Sequence, residues 1–153
     1  MAHLIGLFGY ARSGKDSLAN HLCDNFDFVK WHFADILRDV MMAMDPYVTD
    51  TGERLSELVT RVGWEDAKIE YPEVRRIMQT LGTEGVRHHL GELTWIEALD
   101  KKIRTSGKNA VIADGRFLNE AQWVHNRGGL VVKVRRHMAV PIGGEPHRSE
   151  QEI

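Results

Sequence analysis

The spacing of apolar residues changes several times along the chain, and each change predicts an element. From His3 to Phe8 the apolar residues run together, as in a short strand buried on both faces. Beyond it, Leu18, Ala19, Leu22, Cys23 and Phe26 recur at the intervals of a helix stripe. These two segments predict a strand over 3–8 and a helix over 14–25. The same reading then gives a strand over 28–34, helices over 35–44, 53–62, 73–90 and 95–105, a strand over 109–113, a helix over 117–126 and a strand over 129–135. Among the central helices, Leu55, Leu58, Val59 and Val62 keep one stripe, and Val74, Ile77, Met78 and Leu81 keep another. Thr94 and Glu97 form a capping box ahead of Trp95, Ile96, Leu99 and Ile103, and Gly107 ends that helix. Strands alternating with helices predict an α/β three-layer fold with a mostly parallel central sheet, interrupted by a helical region over about 35–106.

Composition narrows the partners. At 153 residues the sequence has the size of one domain, with a core that needs no staples. Lys plus Arg is 20 against 22 Asp plus Glu, a net charge of −2, so no polymeric nucleic acid is expected as a partner. The single cysteine, Cys23, lies on the apolar face of the first helix and is expected to be a packed thiol. No apolar run reaches the roughly 18 residues of a membrane span, and the first residues lead into a strand with no signal-peptide pattern. No membrane partner and a cytoplasmic location are therefore expected, and a homodimer is left open.

Candidate chemistry begins at Gly9-Tyr10-Ala11-Arg12-Ser13-Gly14-Lys15-Asp16-Ser17, between the first strand and the first helix. This is the place and the spacing of a P-loop, G-x4-G-K. Its glycines let successive N–H groups turn toward phosphate oxygens, the helix offers its positive end, and Lys15 reaches the β and γ phosphates. ATP with magnesium is the implied cofactor. Asp16 stands where the usual loop has Ser or Thr for magnesium, and Ser17 follows, so either side chain is a candidate ligand.

A second cluster lies at the end of the strand Ala110-Val111-Ile112-Ala113-Asp114, followed by Gly115 and Arg116. An Asp in this position holds magnesium, directly or through water, or accepts a hydrogen bond from an acceptor hydroxyl; Arg116 can clamp a phosphate. Ligands of open α/β sheets gather at such carboxyl ends. Asn119 and Glu120 open the next helix, where an acid is favoured by the macrodipole in any case. Arg38, Arg75, Arg76, Arg87, Arg135 and Arg136 are each surface residues by default, although phosphoryl transfer needs several cations. Trp95 fits a core position better than a base-stacking platform. The eight histidines show no metal-ligand spacing.

Taken together, GKDS at 14–17, FADILR at 33–38, RRIMQTLGTEGVR at 75–87, Trp95, VIADGRFLNEA at 111–121, VVKVRR at 131–136 and HRSE at 147–150 resemble the phage-type deoxynucleoside monophosphate kinases, a branch of the P-loop kinases. GKD followed by Ser or Thr is usual there. The resemblance implies a three-layer P-loop NTPase fold with a helical acceptor-binding insertion, ATP and magnesium as cofactors, and a deoxynucleoside monophosphate as acceptor, in the host cytoplasm for a phage-encoded member. It places the ATP phosphates and magnesium on Gly9, Arg12, Ser13, Gly14, Lys15, Asp16 and Ser17. The acceptor nucleotide falls on Leu37, Arg38, Arg76, Gly82, Thr83 and Trp95, and its phosphate and sugar near Asp114, Arg116 and Glu120. Lys15, Asp114, Arg116 and Arg135 are the implied catalytic set. Members usually continue past HRSE into a strand and helix that help to enclose the adenine, so the end at Ile153 is read as a truncation, an unusually short member or an ordered core without its tail.

Two rivals stay open: a P-loop kinase of another small phosphorylated metabolite, such as phosphomevalonate or dephospho-coenzyme A, and a nucleotide-binding module without turnover. A GTPase is disfavoured, since the sequence has no N-K-x-D motif.

Overall fold

The computed structural model describes residues 2–10 and 12–136. HRSE at 147–150 and the C-terminal end lie outside them. The described chain divides into two compact units, one of residues up to Phe33 and from Ile96 onward, the other spanning Ala34–Trp95.

The first unit is an α/β sandwich. Strands β1 (Leu4–Phe8), β2 (Phe28–Trp31), β5 (Asn109–Gly115) and β6 (Leu130–Lys133) form one sheet in the order β2-β5-β1-β6, with every adjacent pair parallel. β1 and β5, the two inner strands, carry the near-continuous apolar runs. This is expected where both faces of a strand are covered. Alternation along the pleat sends Ile5 and Leu7 to one face, where they pack with Val111 and Ala113 against Ala19, Leu18 and Leu22 of α1 (Lys15–Phe26). Gly6 and Phe8 take the other face: a Cβ on Gly6 would lie 2.9 Å from the Val124 side chain of α7 (Leu118–Asn126). Crossovers leaving β1 and β5 in opposite directions put their helices on opposite faces of the sheet. The α/β fold with a parallel central sheet agrees with the sequence reading and is consistent with a P-loop NTPase-like fold.

The second unit is helical. It contains most of α2 (Phe33–Met44), then a short antiparallel hairpin of β3 (Tyr47–Val48) and β4 (Glu53–Arg54), and the helices α3 (Leu55–Glu70), α4 (Pro72–Gln79) and α5 (His88–Leu90). Met41, Val48, Leu55, Leu58, Ala67 and Val74 are fully buried at its centre. Helix α6 (Thr94–Ser106) begins in this unit and continues into the first.

Four features differ from the sequence reading. The stretch 53–62 was expected to be a helix ending near Val62; instead α3 runs to Glu70 across a kink at Gly63, whose φ of 82° and ψ of 162° only glycine adopts without strain. Residues 73–90 were expected as one α-helix, but Thr80–Arg87 is a π-helical stretch, in which His88 N–H reaches Thr83 O. The hairpin 47–54 is too short to carry a period-2 signal. Strand β2 also stops at Trp31, because α2 begins at Phe33.

Candidate functional site

Parallel pairing sets three strand ends side by side. Phe8, the last residue of β1, is paired with Gly115 on one side and with Lys133 on the other. Whatever follows β1, β5 and β6 therefore emerges at one edge: the loop 9–14, the Arg116 turn, and Val134 with Arg135.

The loop after β1 is built by backbone constraints. Gly9 has φ 143°, and a Cβ there would sit 2.3 Å from Val134 O, so no other residue fits without moving the chain after β6. Ser13 N–H donates to Tyr10 O at 3.2 Å, closing the turn. Gly14, at φ 101° and ψ 11°, starts α1, and its carbonyl accepts Leu18 N–H at 3.0 Å. A Cβ on Gly14 would meet open space, so here glycine answers the dihedral alone. Arg12 lies in the left-handed region, at φ 61°, a position that costs a side-chain-bearing residue about 1 kcal/mol.

Two polar groups inside this loop are notable. Lys15 is only 8% exposed, and its ammonium donates to Gly9 O and Tyr10 O, each at 2.7 Å. Ser13 Oγ is buried with no hydrogen-bond partner among the described residues. Leaving a buried hydroxyl unsatisfied costs about 1–3 kcal/mol, which points to a ligand oxygen or water as its partner. A positive helix end, a buried cation and an orphaned hydroxyl around one turn fit an anionic group such as a polyphosphate.

The first turn of α1 also carries Asp16 and Ser17, both exposed. Asp16 Oδ1 lies 3.5 Å from Lys30 Nζ and 3.5 Å from His32 Nε2. Among the described residues no three His, Cys, Asp or Glu side chains gather as a metal cage. Magnesium bound through phosphate oxygens and water asks for only one or two protein oxygens, so Asp16, Ser17 and Asp114 remain suitable donors.

At the end of β5, Gly115 is another position that only glycine fits: a Cβ would come within 2.5 Å of the Phe8 ring. Asp114 Oδ1 accepts Phe33 N–H at 2.8 Å, so this carboxylate caps the first turn of α2. Glu120 is 2% exposed, and its Oε2 accepts Arg116 N–H at 2.8 Å and Phe117 N–H at 3.0 Å. Its carboxylate thus folds the turn that presents Arg116, whose side chain is exposed. Arg135, after β6, is exposed too.

The remaining candidates belong to the helical unit, where three come together. Gly82, in the π-helical stretch, faces Leu37 so closely that a Cβ would lie 3.1 Å from Leu37 Cδ2, and its carbonyl accepts Trp95 Nε1–H at 3.0 Å. Trp95 is 7% exposed, the core position its pattern indicated. Thr83, beside Gly82, is exposed. Arg38 pairs with Glu65 at 2.9 Å and stacks over the Trp64 ring at 5.7 Å. Arg76, on the exposed side of α4, is gripped bidentately by Glu73, with both bonds at 2.8 Å.

Sequence reasoning missed Lys30 and His32 beside Asp16, and Trp64 with Glu65 beside Arg38. A faint signal existed for the first pair, since Lys30 and His32, two residues apart, interrupt an otherwise apolar run.

No family model matches the sequence. The chain is 29% identical over 168 aligned residues, covering 98% of its own length and 81% of the other's, to a protein of Acanthamoeba polyphaga mimivirus named "Putative deoxynucleotide monophosphate kinase". The described residues contain no helix long and apolar enough to cross a membrane.

Proposed function

We propose that this protein transfers the γ-phosphoryl group of ATP to a deoxynucleoside 5′-monophosphate, giving ADP and the deoxynucleoside diphosphate. The observation that carries the reading is the turn from Gly9 to Lys15, with its buried ammonium and orphaned Ser13 hydroxyl, set beside Asp114 and Arg116 by the pairing of Phe8 with Gly115. The likeness to the mimivirus protein supports a nucleotide kinase, and the motifs quoted above support the deoxynucleotide as acceptor.

In this reading Gly9, Arg12, Ser13, Gly14 and Lys15 bind and orient the donor phosphates. Lys15 exchanges its two carbonyl partners for phosphate oxygens, and Arg116 and Arg135 neutralise charge on the migrating group. The acceptor phosphate is already ionised at neutral pH, so no strong general base is required; in-line positioning and charge neutralisation supply the rate. Asp16, Ser17 or Asp114 would hold magnesium, which would supply charge neutralisation to the donor. Leu37, Arg38, Arg76, Gly82, Thr83 and Trp95 serve the acceptor nucleotide, Gly82 and Trp95 by shaping the site and Arg38 and Arg76 by their charge; Glu120 serves it by holding the turn of Arg116.

The test is ADP release with ATP and magnesium across dGMP, dTMP, dCMP, dAMP and their ribose counterparts. Turnover with one or more deoxynucleotides is the expected result. ADP formation only with other phosphorylated metabolites would replace the acceptor, and ATP binding without ADP from any acceptor would favour a regulatory module.

A further inference from the structure

The loop carries an acid where the proposed ligand is an anion. Asp16 follows Lys15 directly, in the first turn of α1. The macrodipole stabilises a carboxylate there, yet the same carboxylate repels a polyphosphate bound at that helix end. When no metal is bound, a protein cation must offset it.

Strand β2 supplies the offset. Lys30 is paired with Val111, whose side chain packs on the sheet face covered by α1. From that face Lys30 Nζ reaches Asn20 Oδ1 at 2.9 Å and Asp16 Oδ1 at 3.5 Å. Asn20 lies four residues, about one turn, beyond Asp16 on the same helix face, so the ammonium bridges two turns of α1. His32, the next residue on this face, approaches the same Asp16 oxygen at 3.5 Å. The Lys30 side chain is 30% exposed against 69% for Asp16, so the cation is the better-held partner.

We propose that Lys30 is a positioning residue for the phosphate-binding loop: it holds the Asp16 carboxylate and offsets its charge, so that an acid can stand next to Lys15 without weakening polyphosphate binding. This rests on reading the loop as the ATP site. Lys30 touches no phosphate; it acts through Asp16.

The experiment is calorimetric titration of ATP, with divalent metal chelated, into the parent chain, Lys30→Met, Asp16→Asn and the double variant, with the melting temperature of each. Lys30→Met is expected to weaken ATP binding about three- to tenfold, and Lys30→Arg to restore it. In the Asp16→Asn background the same Lys30→Met change should alter affinity by less than about twofold, since no carboxylate remains to offset. An equal loss in both backgrounds would overturn the proposal, because Lys30 would then act on the ligand directly. Affinity unchanged in Lys30→Met would also overturn it. Lys30→Gln, which keeps a donor for Asn20, replaces Lys30→Met should the latter fail to fold. A folded parent that binds no ATP would overturn the reading of the loop itself, and this inference with it; a parent that binds, with no response to Lys30→Met, overturns the inference alone.

Discussion

The edge of the α/β unit around the loop 9–14 and the helical unit are specified by different means. Around the loop the backbone decides. Gly9 is crowded by Val134 O, Gly115 by the Phe8 ring, and Glu120 spends its carboxylate on two main-chain N–H groups. In the helical unit an apolar centre is ringed by paired side chains: Arg38 with Glu65, Lys68 with Glu65, Arg61 with Glu53, and Arg76 with Glu73. Backbone-set geometry is rigid and tolerates few residue types, whereas exposed ion pairs are individually weak and open to adjustment.

The sharpest way to break this contrast is to separate chemistry from stability. Lys15→Ala removes the buried ammonium and its two bonds to Gly9 O and Tyr10 O, while leaving in place the glycine dihedrals and close approaches that shape the loop. kcat for ADP formation is expected to fall about 10²–10³-fold, equivalent to about 3–4 kcal/mol, with little change in melting temperature. Activity within a few-fold of the parent would remove Lys15 from the mechanism, and a large drop in melting temperature would make it structural. Leu58→Ala should do the reverse. Leu58 is fully buried in the helical unit, so its truncation is expected to cost about 3 kcal/mol in urea unfolding while ATP affinity changes little. Comparable loss of ATP affinity would show that the two units do not divide the work.

Legibility in the sequence follows the same division. The loop could be read because a G-x4-G-K spacing coincided with a switch from strand to helix period, and both signals are local. Likewise the α/β alternation was visible in apolar runs such as 110–113. What could not be read depends on distant partners: the need for glycine at 115 comes from Phe8, and the Arg38–Glu65 pair spans 27 positions. The π-helical stretch was hidden for another reason. Gly82 and Gly85 lower helix propensity without saying which helix results, and the packing of Gly82 on Leu37 is a tertiary fact. Gly63 could have been taken as a break, but nothing local shows that helix resumes after it.

Arg12 gives a smaller and more pointed test, because among the described residues of the loop it is the one whose backbone is strained by a side chain. Arg12→Gly relieves the left-handed φ of 61° and is expected to raise folding stability by up to about 1 kcal/mol, partly offset by the greater freedom of glycine in the unfolded chain. ATP affinity should fall at the same time. A variant both more stable and less able to bind would mark the strain as kept for function. Unchanged affinity would place Arg12 outside the phosphate site.

The smallest effect concerns the ring of paired carboxylates. Glu65 is held below the usual glutamate range chiefly by its hydrogen bond to Lys68, with burial opposing and the charges of Lys68 and Arg38 adding to the fall. A carboxylate with a depressed folded pKa stabilises fully above its unfolded value, about 4.3, and that contribution is lost as pH falls through the folded value. Because Glu65 is largely exposed, solvent screening keeps the contribution below about 1 kcal/mol. Urea unfolding of the helical unit, followed by amide resonances of residues 34–95, should therefore show a smaller loss between pH 7 and pH 3 in Glu65→Gln than in the parent. The variant should also free the Arg38 guanidinium from one of its anions without touching the loop, so ATP affinity stays at the parent value while the acceptor KM moves. An acceptor KM that stays fixed would confine Glu65 to stability, and the adjustable half of the contrast would then have to lie elsewhere in the helical unit.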